Sequence, residues 1–247
     1  MSIFRTIVLC SALVGLIVGL AISLAQQFGT VPLILEGEIY EKAAAAEANA
    51  IPAVLSHEMM RHKHSEEAWE PADAFERNAS TVVVNILTAS GYALVLIGLF
   101  ALRGKPIGWR EGLLWGLGSF IVVTAAPSLG ISPELPGVPA ASLLARQLWW
   151  IGTVGATGGG LALLVFQRSP WAAAAAIVLI ALPHLVGAPQ LAEVQTNVPE
   201  ALSHQFVVAV TLTSLLFWAL LGSLSGALYR RFILRPDQPS LPRRGTG

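Results

Sequence analysis

Six long apolar runs, nearly free of charge, set what this chain can fold into. They cover about Thr6–Phe28, Thr81–Leu102, Gly112–Leu129, Leu148–Phe166, Trp171–Ala188 and Phe206–Leu228. A helix of about twenty apolar residues crosses the ~30 Å hydrocarbon core of a bilayer with its backbone groups paired internally. The rest of the chain cannot offset so much apolar surface in water, because 12% of the 247 residues are charged, about half the share in a soluble domain. The expected fold is all-α: a polytopic transmembrane helical bundle of six spans, forming one integral membrane domain over 1–247. Two runs leave room for five spans. The fifth is short and carries Pro183 and His184, and the first, with Arg5 before it and Ser23-Leu24-Ala25 near its end, also fits a cleavable signal peptide.

The basic residues orient the spans. Ten of the fifteen, Arg5, Arg103, Lys105, Arg110, Arg168, Arg230, Arg231, Arg235, Arg243 and Arg244, fall on one side. Lys42, Arg61, Lys63 and Arg77 lie in the one long connection, where the rule is weaker, and Arg146 is the fifth on that side. Both termini are therefore expected in the cytoplasm. Residues 29–80 are expected to form an extracytoplasmic loop rich in acids and histidines, and the proline-rich 232–247 a flexible cytoplasmic tail against anionic membrane lipid. A net charge of zero gives no grip on nucleic acid. The single cysteine, Cys10, excludes an internal disulfide and a cysteine-built metal cage. Gly15 and Gly19, Gly222 and Gly226, and the glycines between Gly152 and Gly160 read as close helix packing. Trp149 and Trp150 read as interfacial anchors.

Acids and histidines gather opposite the arginines. Thirteen of the fifteen carboxylates and all five histidines fall on the extracytoplasmic side, leaving only Glu111 and Asp237 on the other. Carboxylate with imidazole suits borderline divalent metals such as cobalt, nickel and zinc; the same composition also fits an ordinary solvated acidic loop. His57, Glu58, His62 and His64 crowd three imidazoles into eight residues. In a helix Glu58 and His62 would share a face, as would Glu200 and His204. Arg61 and Lys63 within the cluster oppose a cation, so the expected binding is weak and transient. Glu36 and Glu38 follow the first span with Glu41 close behind, either as a vestibule or as capping charge. His184 differs from these in lying within a span. Pro183 before it removes a backbone donor and frees a carbonyl one turn earlier. Transporters build ion sites from such interrupted helices, and an ionisable residue within a span marks a functional position.

Several chemistries lack their residues. No phosphate-binding loop occurs, since Gly104-Lys105 runs into Pro106. Ser223-Leu224-Ser225-Gly226 lacks the Gly-x-Ser-Gly of an intramembrane serine protease, and neither Asp73 nor Asp237 lies in a span. The chain is expected not to be an enzyme and to hold no permanent cofactor; a divalent cation would be cargo. Entry of a doubly charged ion down about 100 mV releases about 4.6 kcal/mol, enough for about a thousandfold accumulation without nucleotide.

The stretches VPLILEGEIYE (31–41), WREGLLWGLGSF (109–120), SPELPGVPAASLLARQLWWIGTVGATGGGLALL (132–164), ALPHLVGAP (181–189) and FWALLGSLSGALYRR (217–231) resemble, in order, the CbtA family of probable cobalt transporter subunits. The resemblance implies a bacterial inner-membrane protein in cobalt uptake, working beside a small single-span CbtB-like subunit with a histidine-rich terminus. An accessory scaffold for that partner, a nickel transporter and a homo-oligomer are the readings that compete with or extend this one.

Overall fold

A computed structural model describes residues 3–50, 74–191 and 196–233. Those residues are all-α: α1 (Ile3–Phe28), α2 (Thr30–Ala50), α3 (Ala74–Arg103), α4 (Trp109–Phe120) continuing as a π-helix over Ile121–Ala125, the short α5 (Ala126–Ser128), α6 (Leu143–Phe166), α7 (Pro170–Val186) and α8 (Glu200–Leu228), which ends in a π-helix over Tyr229–Ile233. Among the described residues, α1, α3, α6 and the helix from Glu200 to Phe232 are long and apolar enough to cross a membrane. The other two apolar runs are helical but broken or short. The third is α4, its π-helix and α5, of 12, 5 and 3 residues in succession. Pro127 has no N–H for the carbonyl of Val123, and the ladder widens there into the π form. The fifth run, α7, has 17 residues, about 26 Å of helix.

The stretch expected as a loop over 29–80 departs from that expectation. Gly29 donates to the Ala25 carbonyl at 3.0 Å, and the chain turns straight into α2. Alanine, glutamate and lysine favour helix without any apolar face, Pro32 sits in the first turn where its missing N–H costs nothing, and Lys42 and Glu38 pair at i, i+4. At the other end α3 begins at Ala74. Phe232 and Ile233, expected in the tail, belong to the π-helix; the rest of that expected tail, 234–247, lies outside the described residues.

The chain forms two compact units. The first takes 1–21, 82–117 and 217–247. Its helices meet through glycine. A methyl on Gly15 would lie 1.9 Å from Ser90 Oγ, and one on Gly19 2.6 Å from Ile86 Cα, so α1 and α3 touch backbone to backbone. The same holds for α4 and α8, where a methyl on Gly112 would lie 2.2 Å from the Gly222 carbonyl oxygen and one on Gly226 2.3 Å from that of Gly108. Aromatic edges fill the rest. Tyr92 packs on Trp218 at 4.8 Å, and Phe100 on Trp115 and Tyr229 at 5.6 and 5.7 Å. The Tyr229 hydroxyl, fully buried, donates to the Phe100 carbonyl at 3.1 Å. Just before the third apolar run the Gly108 N–H donates to Glu111 Oε2 at 3.0 Å, closing the start of α4. Backbone donors at Glu111 and Gly108, then the charges of Arg230 and Arg110, hold the Glu111 carboxyl below its ordinary range.

The second unit takes 22–81 and 118–216. Its centre is the α6–α7 hairpin with the π-helix and α5 packed on α6. Gly160 lets α7 approach, since a methyl there would lie 2.9 Å from the Ala176 carbonyl oxygen. Gly187, at φ +89°, ends α7 and donates to the Pro183 carbonyl at 3.1 Å.

Candidate functional site

One apolar core in the second unit organises four of the nine predicted ligands. Leu135, Val198, Leu202 and Phe206 are buried together, with Leu33, Ile34, Tyr40, Val138 and Val210 packed around them. These residues belong to α2, the 129–142 connection and the start of α8, so the segments bearing Glu36, Glu38 and Glu41, then Glu134, then Glu200 and His204 form one platform. Two glycines set its spacing. A methyl on Gly37 would lie 3.3 Å from Leu135 Cδ2 and from Pro136 Cδ, and one on Gly137, at φ +83°, 3.3 Å from the Glu41 backbone. The Thr196 hydroxyl ties the rim by donating to the Gly137 carbonyl at 3.0 Å.

The platform's charges are unequal. Glu36, Glu41, Glu200 and His204 are exposed. Glu38 is half-buried, with Arg77 of α3 and Lys42 each 3.7 Å from its oxygens. Glu134 holds Arg146 at 3.0 Å. Among the described residues Glu36, Glu41 and Glu200 are thus the platform carboxylates with no ion pair and best placed to attract a cation by charge, while an ion at Glu38 must displace the Lys42 ammonium and the Arg77 guanidinium.

The second feature is the end of α7. His184 is half-buried and sits edge-to-face on Trp149, centroids 5.9 Å apart. The indole N–H donates to the Pro183 carbonyl at 3.2 Å. Gly130 backs the indole, as a methyl there would lie 2.4 Å from its six-membered ring. Trp149 is therefore a clamp on α7. Trp150 lines an open groove of about 790 Å³ between the π-helix, α5 and α6, together with Thr124, Ser128, Arg146 and Gln147.

Of the predicted residues, the structure brings Glu36, Glu38, Glu200 and His204 onto segments around one core and sets His184 beside Trp149. His57, Glu58, His62 and His64 lie outside the described residues. Among the described residues no three His, Cys, Asp or Glu side chains gather closely enough to hold a metal. Sequence reading missed the polar face of α6, where Trp149, Thr153 and Thr157 recur at i, i+4 and i+8; that spacing was the available signal.

A chain whose described residues are helical, with four helices long and apolar enough to cross a membrane, is a polytopic helical membrane protein. The family model for CbtA, probable cobalt transporter subunit, matches residues 4–230, and the chain belongs to that family. The family's description is that of a transport subunit. Comparisons with curated proteins and with solved structures gave no match.

Proposed function

We propose that this chain is the membrane subunit through which a divalent transition-metal cation, cobalt foremost, enters a bacterial cell across the inner membrane. Membership of the CbtA family over 4–230 is the observation that carries the reading. The lysine and arginine distribution supports cytoplasmic termini and an extracytoplasmic platform. On this reading Glu36, Glu38 and Glu200 raise the local cation concentration. His57, Glu58, His62 and His64 exchange part of the ion's water for imidazole, with His204 and His184 receiving it at the helix ends. The membrane potential drives entry. The word subunit supports a partner, and a small single-span CbtB-like protein with a histidine-rich terminus fits it.

A second reading has one observation in its favour, the lack of a three-ligand cluster among the described residues. In it the chain is a scaffold and the partner conducts. Metal content of cells carrying this gene, the partner's gene, both or neither, measured for cobalt, nickel and zinc, separates the two. The expected result is cobalt accumulation that requires this chain. Nickel accumulation in place of cobalt would reassign the cargo, the partner alone sufficing would make this chain a scaffold, and no accumulation with both would overturn transport.

A further inference from the structure

Basic side chains in the two units differ in their partners. In the second unit Lys42, Arg77 and Arg146 each hold a carboxylate, that of Glu38 or Glu134. In the first, Lys105, Arg110, Arg230 and Arg231 are exposed and make no ion pair among the described residues. Arginine there stacks on aromatic rings instead. The guanidinium of Arg110 lies 5.2 Å from the centre of the Trp109 ring, that of Arg103 5.8 Å from Trp115 and that of Arg231 5.7 Å from Phe232. Stacking steadies a guanidinium and leaves its N–H edge open to an acceptor.

These groups share one place. Phe100, near the end of α3, meets Trp115 of α4 and Tyr229 after α8, whose hydroxyl donates to its carbonyl. Gly226 of α8 abuts Gly108 just before α4, and a methyl on Gly108 would lie 3.2 Å from Arg230 Nη1. The ends of α3, α4 and α8 thus form one surface. Among the described residues it carries five basic side chains, those above with Arg103, and one carboxylate, Glu111. That carboxylate already accepts the Gly108 N–H. Positive charge in such excess over its own partners attracts an anion.

Position selects the anion's source. Helix α3 and the helix from Glu200 to Phe232, both long and apolar enough to cross a membrane, end here, at the level where lipid headgroups stand. Leu102, Trp109 and Leu114, close to the cations in the chain, are 86%, 50% and 68% exposed. Acyl chains cover apolar surface of this kind, and a small soluble anion does not.

We propose that the ends of α3, α4 and α8 form a binding surface for an anionic phospholipid, whose phosphate is met by Lys105, Arg110 and Arg230. The surface belongs to the helices, not to the proline-rich tail expected against the membrane, and it stands whether or not the chain takes up cobalt.

The test is the rise in melting temperature of the full chain, purified in an uncharged detergent, as lipid is titrated in. Phosphatidylglycerol is expected to raise it saturably; phosphatidylcholine and inorganic phosphate are expected to leave it unchanged. Lys105→Gln with Arg110→Gln is expected to weaken the apparent affinity for phosphatidylglycerol about thirtyfold, the usual worth of two basic groups beside anionic lipid. Lys105→Arg with Arg110→Lys keeps both charges and is expected to keep the affinity within about threefold. Arg168→Gln, which removes a basic residue between α6 and α7 instead, is expected to change nothing. An equal rise with phosphatidylcholine would overturn recognition of charge, and an equal rise with inorganic phosphate would replace the lipid by a free anion. Wild-type affinity in the Gln pair would overturn the assignment of these residues, and an equal loss in the charge-keeping pair would reduce them to a structural role. An equal loss in Arg168→Gln would overturn a localised site in favour of overall charge.

Discussion

Trp149 shows how one side chain fixes a backbone that proline has loosened. Its N–H reaches the Pro183 carbonyl at 3.2 Å while its ring supports His184. Trp149→Phe keeps an aromatic wall and removes the donor. The expected cost is about 0.5–1.5 kcal/mol, the net worth of one hydrogen bond, read as a lower thermal midpoint in detergent. Glu111 makes a pH-dependent contribution at the start of α4. Its folded pKa lies below the ordinary 4.5, chiefly through backbone donors at its own position and at Gly108. A depressed carboxylate stabilises the fold above its unfolded pKa, and that contribution is lost as pH falls through the folded value. The wild type is therefore expected to melt higher than Glu111→Gln at neutral pH, with the two curves meeting below pH 4.5. A constant gap down to strong acid would show that the charge is not what stabilises this turn.

Helix contacts in the first unit depend on absent side chains. Gly112 and Gly222 face each other so closely that a methyl on either would meet the other's carbonyl oxygen, at 2.2 and 2.3 Å. Backbone cannot move aside as a flexible side chain does, so Gly112→Ala is expected to cost about 1–3 kcal/mol. Gly155→Ala, on the same kind of residue but with open space around it, is expected to stabilise slightly by helix propensity. Thermal midpoints of the two variants moving in the same direction would contradict this packing. Much of the element level was legible in advance. Apolar runs marked α1, α3, α6, α7 and α8, and the Gly222/Gly226 pair marked the contact face of α8. Helix α2 was not, because its Ala-Glu-Lys composition favours helix without an apolar period. The π-helix at Ile121–Ala125 had only Pro127 as a hint, and a widened turn depends on packing that spacing does not encode.

At the scale of the whole molecule, residue order alone grouped Glu36, Glu38, Glu200 and His204 on one expected side, and the structure sets their segments around one core. What joins them was not legible in that order. The core of Leu135, Val198, Leu202 and Phe206 brings together residues as far apart as Leu33 and Val210, a tertiary fact with no local signature. Orientation is directly testable, since Cys10 is buried and gives little background to a thiol reagent. A cysteine engineered at Trp69 is expected to react with an impermeant reagent from outside, and one at Ser2 only after lysis. The most direct test of divalent-cation uptake is cobalt entry into right-side-out vesicles containing this chain and its partner, under an imposed potassium diffusion potential. Entry is expected to rise with the inside-negative potential and to cease when the potential is collapsed; entry no greater than in vesicles without the two proteins would contradict the account.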